Sequence, residues 1–173
     1  MRTLVIGGGA SGKSEYAEEL FATLEGTKYY IATMMPYGED SLARIEKHRK
    51  ARRDRGFHTI ERYTDLAELS LPSRGAILLE CLGNLTANEL FYKGASEESA
   101  AEVILRGIDK LSAQADNLVV VTNEVFSDGI KYDEGTLAYM RTLAFLNRKL
   151  AGSFDAVIEV MCGIPVALKG WAS

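Results

Sequence analysis

The stretch that decides the fold is TLVIGGGASGKS, which spans residues 3–14. The run Thr3–Ile6 predicts a short buried strand, and apolar spacing predicts a helix over Ser14–Leu24. Between them, residues 7–14 match the phosphate-binding pattern G-x-x-x-x-G-K-[ST] in the strand–loop–helix setting that this pattern requires. The sequence therefore predicts a nucleoside triphosphate site at this loop.

The chemistry of phosphate binding explains the residue types of this loop. Glycine adopts backbone angles closed to other residues, so successive backbone N–H groups can converge on phosphate oxygens. The following helix begins with free N–H donors and a partial positive charge. Lys13 is expected to reach the β- and γ-phosphates, and the Ser14 hydroxyl is expected to bind Mg²⁺. The predicted nucleotide-binding loop consists of Gly7, Gly8, Gly9, Ala10, Ser11, Gly12, Lys13 and Ser14.

Strand and helix patterns alternate along the rest of the chain. Further continuous apolar runs predict buried strands at Tyr29–Thr33, Ala76–Leu82, Leu118–Thr122 and Ala156–Met161, with weaker strands at His58–Arg62 and Val166–Lys169. Helical spacing is found at Ser41–Arg55, Leu85–Tyr92, Glu97–Gln114 and Thr136–Leu150. This order predicts an α/β fold of the P-loop NTPase type, with a mostly parallel sheet flanked by helices on both faces. We expect residues 1–173 to form a single domain.

The composition narrows the functional class. The chain has 173 residues, of which 47% are hydrophobic and 25% charged, values that exclude a disordered chain. A formal net charge of −4 argues against nucleic acid as the main partner. Apolar runs are too short for membrane insertion, so a cytoplasmic protein is expected. Two cysteines in apolar runs, Cys81 and Cys162, are expected to be buried reduced thiols.

The charge is distributed unevenly. Between Arg44 and Arg55 the chain has seven basic and two acidic residues, a net +5, so the remainder carries −9. On a helix over this window, Arg44, His48 and Arg52 share one face. A solvated charged helix would explain the pattern, but a cationic clamp for phosphates fits a chain that already carries a triphosphate site. Neighbouring cations disfavour protonated His48, which makes its neutral imidazole a candidate nucleophile toward phosphorus.

Acidic and amide side chains follow two of the predicted buried strands. Glu80 stands near the end of the run from Ala76 and could serve as the carboxylate on the magnesium side of the phosphate loop, or simply emerge into solvent. Asn123 and Glu124 follow Leu118–Thr122, at the edge where open α/β sheets bind ligands. A binding role and a structural turn are equally compatible with this second pair.

These motifs together resemble the bifunctional cobinamide kinase/cobinamide-phosphate guanylyltransferase family of adenosylcobalamin synthesis, over essentially the whole length. The matching blocks are residues 4–14, Tyr30–Thr33, Arg44–Arg49, Thr59–Glu61, Ile77–Leu82, Thr122–Val125, Asn147–Ala151 and Gly163–Pro165. The phosphate loop alone is common to many proteins. Its combination with the Arg-Ile-x-x-His and Asn-Glu-Val blocks, in this order, is specific to the family.

The resemblance implies two reactions. A nucleoside triphosphate, ATP or GTP, phosphorylates adenosylcobinamide, and GTP then guanylylates a histidine that passes GMP to adenosylcobinamide phosphate. His48 matches that histidine, and Lys13 serves the catalytic phosphate loop. Magnesium is implied as cofactor, with Ser14 and Glu80 as its ligands, and a homo-oligomer, a trimer, is implied as the assembly. Beyond the loop, the implied nucleotide contacts are Thr33, Met34, Met35, Arg49, Lys50, Arg52, Glu61 and Glu80.

The alternative is a P-loop kinase for a small molecule or nucleoside monophosphate, without a covalent intermediate. The basic window would then clamp substrate, and His48 would be dispensable. A nucleotide switch is disfavoured because the chain has neither an Asn-Lys-x-Asp nor an Asp-x-x-Gly motif. Phe126–Tyr132 departs from the small glycine-rich turn of many relatives, and Glu80 stands where many have Asp.

Overall fold

The computed structural model describes residues 1–36, 55–125 and 132–170. The strands in these residues are β1 (Arg2–Gly7), β2 (Lys28–Ala32), β3 (Phe57–Glu61), β4 (Gly75–Leu79), β5 (Ala115–Asn123), β6 (Ala156–Met161) and β7 (Ile164–Lys169). The α-helices are α1 (Lys13–Glu19), α2 (Leu82–Ala87), α3 (Glu97–Gln114) and α4 (Glu134–Ser153). A 3₁₀ turn spans Leu66–Glu68, and a π-helix spans Asn88–Tyr92. The predicted helix Ser41–Arg55 lies almost wholly outside the described residues.

All seven strands belong to one sheet, in the order β3-β2-β4-β5-β1-β6-β7. The pairs from β3 to β6 are parallel, whereas β7 runs antiparallel to β6 at the edge. The predicted α/β fold with a mostly parallel sheet is confirmed, including the two weaker strands. Because parallel strands end at the same side, the residues that follow β1, β2, β3, β4 and β5 meet at one carboxyl edge.

Apolar side chains cover both faces of the sheet, as the continuous apolar runs predicted. On one face, Leu4 and Ile77 pack with apolar residues of α2, α3 and α4, including Leu85, Ile104 and Leu146. On the opposite face, Ala17 of α1 and Phe21 in the turn after it pack on Val5, Leu78 and Val121. The helices of the described residues thus flank the sheet on both sides, and they leave its carboxyl edge open for the loops.

Several predicted boundaries need correction. The helix that follows the phosphate loop ends at Glu19 and continues as turns to Leu24, rather than as one helix. The fourth strand ends at Leu79, so Glu80 lies just beyond the strand. The following helix starts at Leu82 and becomes a π-helix at Asn88, because main-chain bonds there span five residues, as from the Lys93 N–H to the Asn88 carbonyl (3.1 Å).

The expectation of two buried thiols needs correction, because Cys81 is half-buried and Cys162 is exposed. The Cys81 thiol accepts a hydrogen bond from the Asn84 N–H (3.3 Å) at the start of α2, and burial raises the pKa of this thiol. Cys162 is exposed, because it lies in the tight turn between β6 and β7 with a positive φ of 52°. Separately, no helix among the described residues is long and apolar enough to cross a membrane.

Candidate functional site at the carboxyl edge of the sheet

The phosphate loop is held in place by main-chain hydrogen bonds. The Glu124 N–H, one residue past β5, donates to the Gly7 carbonyl oxygen (3.1 Å). On the other side, the Gly163 N–H in the turn between β6 and β7 donates to the Ser11 carbonyl oxygen (2.8 Å). Gly12 has a φ of 90°, and a methyl group on it would lie 3.1 Å from the Gly163 Cα. The conformation therefore requires glycine at Gly12 for both its backbone angle and its close packing.

The same loop has the features of an anion cradle. A Cβ added at Gly8 or Gly9 would meet no atom within 4 Å, so there is open space beside these residues for a ligand. Ser11 Oγ is buried and has no hydrogen-bond partner in the described structure. A buried hydroxyl without a partner is destabilising unless a ligand satisfies it. Both observations fit a loop that closes around phosphate oxygens.

Lys13 is the first residue of α1, and its side chain extends back over the phosphate loop. Its Nζ donates to the Gly8 carbonyl oxygen (2.9 Å), which holds the ammonium group beside the cradle. Burial lowers the pKa of Lys13, and the nearby Cys81 and Glu15 oppose that shift. A partly desolvated ammonium group interacts more strongly with a phosphate than an exposed one does, because the local dielectric is lower. Ser14 follows Lys13 in the first turn of α1.

Glu80 holds the loop that follows β2. Its Oε2 accepts hydrogen bonds from the backbone N–H groups of Thr33 (2.9 Å) and Met34 (3.3 Å). The Thr33 hydroxyl also donates to the Cys81 carbonyl oxygen (2.9 Å), and Thr33 is fully buried. Three of the predicted nucleotide contacts, Thr33, Met34 and Glu80, therefore lie together at the carboxyl edge. Glu80 is half-buried, and its carboxylate makes these two bonds rather than simply emerging into solvent.

The remaining predicted contacts fall into two groups. Glu61 ends β3 directly opposite Ala32 of β2, so it lies at the same edge, where the Tyr63 hydroxyl donates to its Oε2 (2.8 Å). Met35 follows Met34 and is half-buried. The predicted nucleophile and the predicted basic contacts, His48, Arg49, Lys50 and Arg52, lie outside the described residues.

Three side chains that the sequence did not predict as one group lie together beside the phosphate loop. They are Tyr139, Asn123 and Cys81. Tyr139 of α4 hydrogen-bonds Asn123, and burial raises the pKa of Tyr139 to about 12. The Asn123 amide also donates weakly to Cys81 Sγ (3.7 Å). A Cβ on Gly83 would lie 2.8 Å from the Tyr139 hydroxyl oxygen, so glycine permits this close approach. Only the position of Asn123 after an apolar strand was a usable sequence signal.

A second missed residue is Asn88, the first residue of the π-helix. Its Nδ2 donates to the carbonyl oxygens of Thr33 (2.9 Å) and Tyr63 (2.9 Å). The neighbouring Leu85 and Leu90 are buried, so a polar side chain in this apolar stretch was the available signal.

The donor set fits magnesium bound together with a nucleotide. The candidate ligands Ser14 and Glu80 offer hydroxyl and carboxylate oxygens, which this hard cation prefers. Among the residues described, no three or more His, Cys, Asp or Glu side chains cluster as a metal site. Magnesium in nucleotide enzymes typically uses one or two protein ligands plus phosphate oxygens, so such a cluster is not required.

A parallel α/β sheet whose first strand leads into this cradle defines a nucleotide-binding protein of the P-loop class. The profile of one protein family, described as cobinamide kinase / cobinamide phosphate guanyltransferase, matches residues 3–168. The chain belongs to this family, and it is therefore an enzyme with kinase and guanylyltransferase activities in cobalamin biosynthesis.

Curated relatives match along the full chain. The chain is 33% identical to the bifunctional adenosylcobalamin biosynthesis protein CobU of Escherichia coli K12, over 98% of this chain and 100% of that protein. It is 31% identical to CobU of Salmonella typhimurium, with the same coverage. CobP of Pseudomonas aeruginosa, with the same bifunctional description, is 29% identical over 98% of each chain. The family resemblance predicted from the motifs is thus confirmed.

Proposed function

We propose that one nucleotide site at the carboxyl edge serves both reactions, with His48 as the covalent carrier of GMP. The first substrate is adenosylcobinamide, the second is its phosphate, and the product is adenosylcobinamide-GDP. One observation carries this proposal. The phosphate cradle and the anchored Thr33–Met34 loop, with Glu80 and Glu61, occupy a single edge of the sheet.

In the kinase step, the hydroxyl oxygen of adenosylcobinamide attacks the γ-phosphorus of ATP or GTP. A new P–O bond forms while the bond between the γ-phosphorus and the β,γ-bridging oxygen breaks. The nucleoside diphosphate leaves with that electron pair, and the hydroxyl proton is released to solvent. The cradle N–H groups and Lys13 hold the phosphates in line and neutralise the charge that moves to the bridging oxygen.

In the guanylyl step, a lone pair of the His48 imidazole attacks the α-phosphorus of GTP. A P–N bond forms and the α,β-bridging P–O bond breaks, so pyrophosphate leaves with the electron pair. A phosphate oxygen of adenosylcobinamide phosphate then attacks the same phosphorus. The new P–O bond forms as the P–N bond breaks, and the electron pair returns to the imidazole nitrogen.

The basic window supports this role for His48. Arg49, Lys50 and Arg52 follow it directly, and the net charge of +5 between Arg44 and Arg55 suits a triphosphate. Guanidinium groups neutralise the charge of phosphate oxygens, which makes the phosphorus more electrophilic toward a neutral nucleophile. The placement of these residues is inferred from sequence and family, since they lie outside the described ranges.

Magnesium is part of the proposal. Ser14, in the first turn of α1, and Glu80, just beyond β4, are the residues that would hold it with the phosphates. The bound cation supplies charge neutralisation at the phosphate oxygens. Glu80 anchors the Thr33–Met34 loop through Oε2, and its second carboxylate oxygen is not used by these two bonds.

A homo-oligomer, a trimer by family resemblance, also belongs to the proposal. The last strand, β7, is an edge strand, and its apolar side chains are exposed, with Ile164 and Leu168 at 65% and 60%. Met161, at the end of β6, is also exposed. Such an exposed apolar edge is typical of a surface that pairs with another chain. Light scattering at several protein concentrations measures the assembly.

The decisive experiment incubates the protein with GTP labelled at the α-phosphorus and Mg²⁺. We expect an acid-labile, alkali-stable label on the wild type and none on His48→Ala. The same variant is expected to retain kinase turnover, because phosphoryl transfer needs no nucleophilic histidine. His58→Ala is the matched control, since His58 is exposed on β3 and has no proposed catalytic role.

Each outcome decides between candidate functions. No label on the wild type contradicts guanylyl transfer through a covalent enzyme and favours a kinase without an intermediate. A label that persists in His48→Ala would mean that a residue other than His48 is the nucleophile. In the same assay Lys13→Ala is expected to lose both activities, because one phosphate loop serves both. Kinase turnover that survives in Lys13→Ala would mean two separate sites.

A further inference from the structure

The π-helix Asn88–Tyr92 connects the ends of two neighbouring strands. The two N–H donors of the Asn88 amide lie within hydrogen-bond distance of the Thr33 and Tyr63 carbonyl oxygens, both at 2.9 Å. Thr33 is the first residue past β2, and Tyr63 is the second residue past β3. A primary amide has two donors on one nitrogen, which is what two acceptors from different strands require. One side chain therefore joins both strand ends.

The two strand ends that Asn88 joins carry proposed nucleotide contacts. Thr33 and Met34 follow β2, and Glu61 ends β3 two residues before Tyr63. Main-chain pairing fixes β2 against β3 only as far as Ala32 and Glu61, with one further bond from the Arg62 N–H to the Ala32 carbonyl. Beyond that point, within the part of the chain that the structure describes, the Asn88 side chain bonds to both loops and so fixes their separation.

The surroundings of Asn88 make its position well defined. Glu89 accepts a hydrogen bond from the Asp65 N–H (2.7 Å), and Lys93 forms an ion pair with the Asp65 carboxylate (2.9 Å). The π-helix and Lys93, the residue after it, thus bond to the loop after β3 at several points. Thr33 is also bonded to the Glu80 carboxylate and to the Cys81 carbonyl oxygen. π-Helices in proteins often occur at functional sites, and here the wide turn aims Asn88 between two loops.

We propose that Asn88 is a positioning residue for guanylyl transfer, setting the Thr33–Met34 loop against Glu61 so that GTP binds with its α-phosphorus correctly placed. The inference rests on the proposed function, because it takes these residues as nucleotide contacts. Asn88 acts on the reaction through the two backbone carbonyls and touches no reacting atom. A small displacement of a substrate-positioning loop lowers rates far more than it lowers folding stability.

The test replaces Asn88 by Asp, which keeps the shape but cannot donate, and by Ala as a second variant if Asp prevents folding. The matched control is Gln114→Glu, the same change from amide to acid. The Gln114 side chain also bonds backbone groups, accepting from the Leu71 N–H (2.8 Å) and donating to the Leu69 carbonyl (3.2 Å). It lies at the end of α3, at the opposite edge of the sheet.

Four quantities are measured in each variant: melting temperature, GTP affinity, the rate of α-label incorporation, and kinase turnover with ATP. Asn88→Asp is expected to slow label incorporation roughly 10- to 100-fold, in excess of any loss in kinase turnover, because the phosphate loop and Lys13, which would hold the γ-phosphate, are fixed by other bonds. Gln114→Glu is expected to lower the melting temperature comparably while it leaves the ratio of the two activities unchanged.

The outcomes separate this inference from the proposed function. Equal losses of both activities in Asn88→Asp, or the same ratio as in Gln114→Glu, overturn the positioning role. If the wild type itself takes no label, the proposed function fails, and GTP affinity then decides the inference alone. Weaker GTP binding in Asn88→Asp than in Gln114→Glu supports the positioning of a nucleotide loop, and equal binding overturns it.

Discussion

Two loops at the same edge of the sheet are held by different means. The phosphate loop is fixed by main-chain bonds to Gly7 and Ser11, and its close packing depends on a missing side chain at Gly12. The loop after β2 is fixed by side chains, namely the Glu80 carboxylate and the Asn88 amide. The first loop therefore depends on distant residues only through their backbone, whereas the second depends on the side chains of residues 47 and 55 positions away.

This difference predicts how each loop fails. Where the phosphate loop packs through its backbone, at Gly12, an added methyl group is crowded, since the neighbours are backbone atoms that cannot rotate away. A loop held by side chains tolerates changes in its own residues but loses its position when a remote anchor is removed. The three substitutions below test this contrast, starting with the largest expected effect.

Gly12→Ala tests the close packing of the phosphate loop. The methyl group would lie 3.1 Å from the Gly163 Cα, and alanine is strained at a φ of 90°. We expect the free energy of unfolding to fall by about 1–2 kcal/mol from strain and by about 1–3 kcal/mol from crowding. Urea unfolding measures the change.

Gly26→Ala is the matched control for that experiment. Gly26 has a similar φ of 85°, but a Cβ there would meet no atom within 4 Å. Gly26→Ala should lose unfolding free energy through backbone strain alone. The extra loss in Gly12→Ala then measures the cost of crowding against Gly163. Equal losses in both variants would mean that the turn between β6 and β7 does not constrain the phosphate loop.

Glu80→Ala tests the loop that side chains hold. It removes the acceptor of two backbone N–H groups, and hydrogen bonds to charged groups are worth about 1.5–3 kcal/mol. We expect a loss of unfolding free energy in this range without nucleotide. Glu80→Gln retains an acceptor oxygen and should recover much of that stability. If glutamine is as destabilising as alanine, the charge of Glu80, and not its hydrogen bonds, holds the loop.

Glu89→Gln tests the anchor of the neighbouring loop through its pH dependence. Burial raises the pKa of Glu89 from its ordinary 4.5, against the Asp65 N–H bond that lowers it. Between pH 4.5 and the raised pKa, the folded protein binds more protons than the unfolded chain, so its stability falls as pH rises. Glutamine does not titrate and can still accept the Asp65 N–H.

Relative to Glu89→Gln, the wild type should therefore lose unfolding free energy as pH rises across that window, and the difference between the two proteins should be constant above it. Thermal unfolding at a series of pH values measures this. Wild-type stability that rises relative to Glu89→Gln across that window would contradict the raised pKa.

The parts that the sequence made predictable were local or repeated. The phosphate loop was recognised because its glycines, Lys13 and Ser14 are adjacent in the chain. The strands were recognised because burial on both faces requires continuous apolar runs, and even the exposed strand β7 was expected. Boundaries were less predictable, as at Leu79 and Asn88, because the end of a strand or an α-helix is set by what packs beside it.

What the sequence could not show was the pairing of distant side chains with backbone groups. The sequence showed Glu80 only as an acid after a strand. Its bonds to Thr33 and Met34 depend on β4 lying beside β2, and this strand order cannot be read from the sequence. Asn88 carried no signal beyond its polarity. Cys162 belonged to an apolar run yet is exposed, because the chain turns there at the edge of the sheet.

The sequence by itself determined the class of fold, the phosphate loop and the concentration of positive charge around His48, because each is encoded within a few consecutive residues. The tertiary structure decided which strand ends are neighbours, and hence that Glu80 and Asn88 both anchor Thr33. Such contacts depend on strand order and on the wide turn of a π-helix, and both arise from packing across the whole sheet.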